Sequence, residues 1–514
     1  MSSTNSNIAF KHYSNKQIML LPPSLEELIV ENHPVRLINQ VIDQIDIDPL
    51  LKNYKGGGTS SFHPRMMLKV LVYAYINNVY SSRKIESAVK ENIHFMWLAG
   101  MNKPDHNTIN RFRSERLKDV LKQLFAQVVL MLNQEGFLDI QDIYTDGTKI
   151  EANANKYTFV WGKAIQTSKD RISKQLQEIW DYTQEVAKEE LLDKEPISFD
   201  QIDSQKVAKT IDQINELLKD KPVNKKVKQK LNYAKRNWPT KLDQYEQAEQ
   251  VLNNERNSFS KTDNDATFMR IKEDHMQNGQ LKPGYNVQVS SSNQYIVNYT
   301  LHPNPTDTKT LPSHINAHQE LYNQLPSSLT ADAGYGSEEN YVMLENNNIE
   351  AFVKYNMFDK QQKTVKVDKY PFSKDKLYYN AEHNYYICPM GQKMVFIGKK
   401  NQKTETGFTQ QLSTYQAINC EGCPLRSQCH KAKGNRRIEV NQNLDRLKHK
   451  AKALLTSELG IEKRKKRVVD TEPVFANIKQ NKGFRRFMLR GKNKVEIEWG
   501  LIAIAHNLKK RAVA

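Results

Sequence analysis

Asp146, Asp332 and Glu472 are the residues of this chain best placed to do chemistry. Asp146 ends the apolar run Phe137–Thr145 and is followed by Gly147; Asp332 ends Ser328–Ala331 and is followed by Ala333-Gly334-Tyr335-Gly336. Glu472 opens a helix-like stretch, Glu472-Pro473-Val474-Phe475. Two acids at strand ends and one on a helix predict an all-oxygen site for Mg²⁺, a hard cation that prefers carboxylates. Without a cation, three packed carboxylates raise one another's pKa and repel. Such a site suits phosphoryl transfer, in which two metal ions roughly 3.5–4 Å apart activate the attacking oxygen and stabilise the leaving one. Asp146, read as lying on the central strand, is expected to bridge both Mg²⁺ ions, with Asp332 and Glu472 each holding one side.

The rest of the chain supplies a fitting partner. It has 514 residues and a net charge of +18. The length predicts several domains, and the excess of Lys and Arg predicts a polyanion, nucleic acid first. No amphipathic anchor or lipidation signal supports a membrane-surface role. The polar start Met1-Ser2-Ser3-Thr4-Asn5 does not read as a signal peptide, and the apolar stretch Leu124–Leu132 is too short to span a bilayer. The expectation is a cytoplasmic, nucleoid-associated bacterial protein with no membrane contact. Four cysteines in such a chain do not make a disulfide scaffold.

The elements that must hold the acids are read from periodicity. Residues 1–135 predict a helical N-terminal DNA-binding domain, with Gly56-Gly57-Gly58 as a loop and a long helix from about His106 to Gln134 capped by Asp105. The stretch His106–Arg113 has a helix-turn-helix look, which makes Arg111 and Arg113 candidate DNA contacts. Residues 136–160 start a sheet. Residues 161–264 predict a helical insertion, with seams at Ile172, Leu176, Ile179 and at Val207, Ile211, Ile214. Residues 265–355 return to strands, with a hairpin about Ser291-Ser292-Asn293. Residues 356–460 form a cysteine-containing insertion, and 461–514 supply C-terminal helices. The fold class is α/β: three antiparallel strands, then helix, parallel strand, helix and strand, the order of an RNase H-like mixed sheet.

At these residues the chain resembles the DDE-type transposases of bacterial insertion sequences. The resemblance rests on Tyr144-Thr145-Asp146-Gly147-Thr148-Lys149, on Asp263-Asn264-Asp265-Ala266 through Gly284-Tyr285-Asn286-Val287-Gln288, and on Thr330-Ala331-Asp332-Ala333-Gly334-Tyr335. It continues through Glu472-Pro473-Val474-Phe475, Lys479, Gly483-Phe484, Arg490-Gly491 and Glu498-Trp499. It implies an RNase H-like core, dependence on two Mg²⁺ ions, and cleavage and joining at the inverted repeats of an element. In related transposases with a Tyr-Arg-Glu-Lys signature an Arg lies four positions before the glutamate. Here that position is Val468, with Arg467 one step earlier, and no Tyr sits at the usual offset. Glu498 is therefore the runner-up to Glu472, and Glu496 a weaker one.

Cys388, Cys420, Cys423 and Cys429 form a C-x-x-C pair with two nearby thiols, which suits a closed, structural tetrahedral Zn²⁺ site; His430 is an alternative to Cys429. Metal-free reduced thiols are the other reading. Residues 461–514 carry fifteen Lys or Arg against five Asp or Glu. Lys465 and Arg467, in the densest basic run, are candidate contacts to the DNA backbone, as are Lys479, seven residues after Glu472, and Arg490. The expected activity is that of a DNA transposase working as a homodimer on double-stranded DNA. The alternatives are an RNase H-like DNA nuclease without strand transfer and a non-catalytic DNA-binding protein.

Overall fold

Ile143, Tyr144, Thr145, Thr148 and Ile150 give Asp142–Glu151 the β-branched and aromatic character of a strand, and it is the central one (β1). In the computed structural model, which describes residues 24–52, 54, 61–188, 198–253, 256–271, 279–362 and 371–514, five further strands join it in one sheet. The Met1–Asn5 and Gly56–Gly58 segments lie outside the described residues. The further strands are β2 (Thr267–Arg270), β3 (Leu281–Ser292), β4 (Tyr295–His302), β5 (Ser328–Ala331) and β6 (Glu350–Val353). β1 pairs antiparallel with β3, and β3 antiparallel with β4 and, at its start, with β2. On its other side β1 pairs parallel with β5, and β5 parallel with β6. The order across the sheet is β4-β3-β1-β5-β6.

The hairpin between β3 and β4 turns at Asn293 and Gln294, with φ of +52° and +65°. Two left-handed residues match the right-handed twist of paired strands. The turn thus falls later than Ser291-Ser292-Asn293, because Ser291 and Ser292 still pair, with Ile296 and Tyr295.

Helices pack on this sheet from both ends of the chain. Pro64–Ile76 and the C-terminal Lys492–Arg511 lie against each other, and Val70, Leu71, Trp499 and Ile502 belong to the same continuous core as Val287 and Leu329. The N-terminal helices therefore share the core of the sheet. Asp105 caps His106–Arg111 through its carboxylate and the Thr108 N–H, at 2.8 Å. The long helix expected from there to Gln134 is broken. A π turn occupies Phe112–Arg116, Asp119 takes a left-handed φ of +62°, and the helix resumes at Leu121–Gln134.

Gly162–Val186, Ser204–Leu217 and Lys225–Leu252 form a helical unit with its own core of Ile172, Leu176, Ile211, Ile214, Trp238 and Leu242. Strands from Tyr379 to Val440 make a separate five-stranded antiparallel sheet around Tyr386, Met394 and Tyr415. Among the described residues no helix is long and apolar enough to cross a membrane.

Candidate active site

The pairing of β1 with β5 brings the two aspartates level. Thr145 faces Ala331 on the neighbouring parallel strand, and Asp146 and Asp332 are the next residue on each. Parallel neighbours lie about 4.8 Å apart, so the two acids stand side by side, Asp146 within β1 and Asp332 just past the end of β5. Asp146 accepts the Gly147 N–H at 2.8 Å, and Asp332 caps the short turn Ala333–Tyr335 by accepting the Gly334 N–H at 2.8 Å.

A third acid stands beside them, one that the strand-end pattern does not reveal. Asp307 accepts from Asn286 Nδ2 and Gln288 Nε2, both on β3 and both at 2.8 Å. A Cβ on Gly147 would lie 2.6 Å from Asp307 Oδ1, and one on Gly334 would lie 3.0 Å from Asp332 Oδ1 and 3.6 Å from Asp307 Oδ2. Glycine at both positions is what lets the carboxylates approach the backbone this closely. Beneath them Tyr335 is buried and donates to Gln288 Oε1. Burial first, then the charges of Asp307, Asp146 and Asp332, hold its phenol protonated far above the ordinary range, with Arg467 opposing. Asp307 sits in the polar stretch Asn304-Pro305-Thr306-Asp307-Thr308, where an Asp reads as a turn or cap residue.

Glu472 is placed differently. It lies well inside the helix Glu458–Ala476 rather than at its start. That helix crosses the sheet and binds it through three polar side chains. Lys463 Nζ donates to Asp142 Oδ1 and Ser328 Oγ, both at 2.7 Å; Arg467 Nη1 donates to Asp146 Oδ2 at 3.1 Å; Asp470 accepts from Ser291 Oγ at 2.6 Å and the Gln294 N–H at 3.1 Å. Burial raises the Asp470 carboxyl above its usual range. At 100° per residue Glu472 falls about 140° round the helix from Arg467, and it is exposed. Seven residues on, Lys479 is buried in the π turn Asn477–Asn481, while Glu472 is exposed. Among the described residues no three His, Cys, Asp or Glu side chains converge closely enough to hold a metal ion.

The remaining acids and bases have plain positions. Glu498 is fully buried and accepts the N–H groups of Met488 and Leu489 at 3.0 Å; burial pushes its carboxyl up to about 7. Glu496 pairs with Lys122 at 2.8 Å. Arg113 is 3% exposed and donates to the Tyr80 carbonyl at 2.7 Å and to the Tyr75 hydroxyl at 3.1 Å, so much of its guanidinium serves the packing of the N-terminal helices. Arg111, Lys465 and Arg490 are exposed.

Cys388, Cys420, Cys423 and Cys429, with His430, all line one void of about 20 Å³, room for a single water-sized occupant. Gln392 N–H approaches Cys388 Sγ at 3.3 Å and Arg436 N–H approaches Cys420 Sγ at 3.4 Å, while Arg436 Nη1 lies 2.9 Å from Cys429 Sγ. The thiols are free, and both ring nitrogens of His430 are buried without a partner among the described residues.

Residues 387–512 match the family described as Transposase DDE domain, and residues 23–115 match Transposase domain (DUF772). The first match runs through the cysteines, Glu472, Glu498 and the C-terminal helix; the second covers the N-terminal helices as far as Arg113. No curated protein and no solved structure matches the chain significantly.

Proposed function

We propose that this chain, which matches a transposase DDE domain over residues 387–512 and a transposase domain over residues 23–115, is a DDE-type transposase that cuts and rejoins double-stranded DNA at the inverted repeats of its insertion sequence. The observation that carries the reading is the pair Asp146 and Asp332, side by side on the adjacent parallel strands β1 and β5. The strand order β4-β3-β1-β5-β6, with three antiparallel strands followed by two parallel ones, supports an RNase H-like core.

The donor types, carboxylate oxygens, are those that hard divalent cations take, although among the described residues no three of them converge on one point. Asp146, Asp332 and Asp307 gather at glycines that open a path to their oxygens, and the charges of all three act on Tyr335. Asp146 and Asp332 would hold Mg²⁺; Glu472, exposed and on another face of the helix from Arg467, would have to turn toward them to serve as the third ligand. Bound there, the ions would polarise the scissile phosphodiester and lower the pKa of the attacking water or 3′-hydroxyl. The chain's own part is positional. Gln288 and Asn286 fix Asp307, β1 and β5 fix the two aspartates, and Arg467 neutralises Asp146. Arg111, Lys465 and Arg490 would meet DNA phosphates, and joining two element ends calls for a homodimer. The void among Cys388, Cys420, Cys423 and Cys429 brings together the thiol donors a structural Zn²⁺ takes, though no three of them are close enough as they stand to hold it.

A cleavage assay tests the reading. With Mg²⁺ and DNA carrying the element end, Asp146→Ala and Glu472→Gln should lose nicking while binding DNA like the wild type. Persistent nicking by Asp146→Ala would refute the site, and nicking by Glu472→Gln would remove Glu472 from it. Strand-transfer products from a pre-cut end separate a transposase from a nuclease that only cuts.

A further inference from the structure

The sheet beside the cysteines extends past its own core. Its strands Lys393–Lys403 and Thr409–Ala417 pair antiparallel from Met394–Ala417 to Lys403–Thr409. Their neighbours stop early: Tyr385–Ile387 pairs only with Lys393–Val395, and Arg437–Val440 only with Ser413–Gln416. Among the described residues the last pairs, Lys400–Leu412, Asn401–Gln411, Gln402–Gln410 and Lys403–Thr409, therefore form a two-stranded ribbon with no third strand on either side. The turn Thr404–Phe408 closes it, with the Thr404 N–H on the Phe408 carbonyl at 2.8 Å and Gly407 at a φ of +87°. A lone two-stranded ribbon gains little stability of its own in water.

The composition of the ribbon fits a polyanion. Lys399, Lys400 and Lys403 are exposed, and the acid of its turn, Glu405, pairs with Lys309 at 2.8 Å. One face is open along its length. Lys399, Asn401 and Lys403 on one strand and Thr409 and Gln411 on the other are all exposed, with Asn401 directly opposite Gln411. At about 3.3 Å per residue this face runs roughly 13 Å. The major groove of B-DNA, about 12 Å wide, admits a two-stranded ribbon, and Asn or Gln amides pair there with an adenine edge. The position of the ribbon is set as well. Lys309 ends the short turn Asp307–Lys309, so its pair with Glu405 ties the ribbon tip to the segment that carries Asp307. Thr308 Oγ1 donates to the Gly334 carbonyl at 2.8 Å, and Thr406 donates to Glu339 on the helix that follows Asp332. The tip is thereby anchored beside the site aspartates.

We propose that this ribbon enters the major groove of the element-end DNA next to the cut, with Asn401 and Gln411 reading base edges and Lys399 and Lys403 meeting phosphates on the groove walls. The inference rests on the transposase reading above and adds to it an element that tells the end sequence from other DNA. Lysine contacts to phosphates position the duplex without regard to sequence, and the amides supply the discrimination. Because the tip is tied to the Asp307 segment, the base pairs read lie within one helical turn, about ten base pairs, of the scissile phosphodiester.

The test is binding of the full chain to element-end DNA and to a scrambled duplex, measured against salt in Ca²⁺. The proteins are wild type, Asn401→Ala/Gln411→Ala, Lys399→Ala/Lys403→Ala and the control Lys219→Ala in the helical insertion. The amide variant should lose about tenfold or more of its preference for the end with an unchanged salt slope. The lysine variant should lower the slope by about two units on both duplexes, and the control should match wild type. Substituting 7-deazaadenine, which removes the N7 acceptor from the major groove, should weaken wild-type binding at a position near the cut and leave the amide variant indifferent. An amide variant that keeps the wild-type preference, or a wild type insensitive to 7-deazaadenine throughout that helical turn, overturns the proposal. A wild type that fails to bind DNA at all overturns the transposase reading itself. The substituted side chains are exposed, and melting temperatures within a degree or two of wild type exclude misfolding as the cause.

Discussion

Arg467 on the Glu458–Ala476 helix forms an ion pair with Asp146 on the central strand, Nη1 to Oδ2 at 3.1 Å, with both side chains mostly buried. The basic residue nearest the predicted signature position thus faces a site carboxylate, where it balances the charge a metal would otherwise balance. Replacing it with Met should cost roughly 1–3 kcal/mol, between the values for surface and buried pairs. Mg²⁺ should restore part of that loss by binding Asp146. Melting curves in chelator and in Mg²⁺ check this: the gain on adding Mg²⁺ should be larger for Arg467→Met than for wild type. Equal gains would show that Asp146 takes no ion.

Asp307 is expected to matter through charge. Asp307→Asn keeps its shape, but it sets an amide NH₂ against the Asn286 and Gln288 donors and removes one negative charge beside Asp146 and Asp332. The Mg²⁺ concentration for half-maximal cleavage should rise about tenfold or more, with DNA affinity unchanged. An Mg²⁺ titration of cleavage that superimposes on the wild-type curve would make Asp307 a purely structural residue.

Glu498, the alternative third acid in sequence terms, is expected to behave as a structural group. Its carboxyl is raised to about 7 by burial, from 4.5 in the unfolded chain. The protonated form is therefore the one that the fold favours. Its contribution to stability is complete below pH 4.5 and is lost as pH rises toward 7, by about 3 kcal/mol. Buried histidines such as His314 and His506, held neutral by burial, act with the opposite sign. The wild-type minus Glu498→Gln difference in stability isolates Glu498, and it should fall between pH 5 and pH 7.5. A pH-independent difference would contradict the assignment.

The cysteine void predicts one zinc per chain. Metal analysis of purified protein should give about one equivalent, and Cys423→Ser should lose it and melt at lower temperature. Wild-type protein that folds equally well and holds no zinc after purification without chelator would support metal-free thiols.

How far the sequence carried these conclusions differs from residue to residue. Asp146 and Asp332 were legible because an acid beside small residues (Gly147 after Asp146; Ala333-Gly334 after Asp332) leaves a local pattern, and the sheet puts the two acids side by side, although Asp146 lies within β1 rather than at its end. The helical insertion was legible from its apolar seams, which became one core. Asp307 was not, since its role comes from Asn286 and Gln288 across the sheet and nothing near it in the chain records that contact. The exposure of Glu472 was equally hidden. Helical spacing pairs Glu472 with Lys479, but it does not record that one ends exposed and the other buried. Arg113 looked like a DNA contact because its charge was visible and its burial under Tyr75 and Tyr80 was not.

The most direct measurement is cleavage of labelled element-end DNA in Mg²⁺ by wild type and by Asp332→Asn, with binding followed in parallel. Wild type should nick the end and join it to target DNA, while Asp332→Asn binds equally well and cuts at least roughly a thousandfold more slowly. Equal cleavage by the two proteins would contradict the claim that the level pair Asp146 and Asp332 is where this protein acts on DNA.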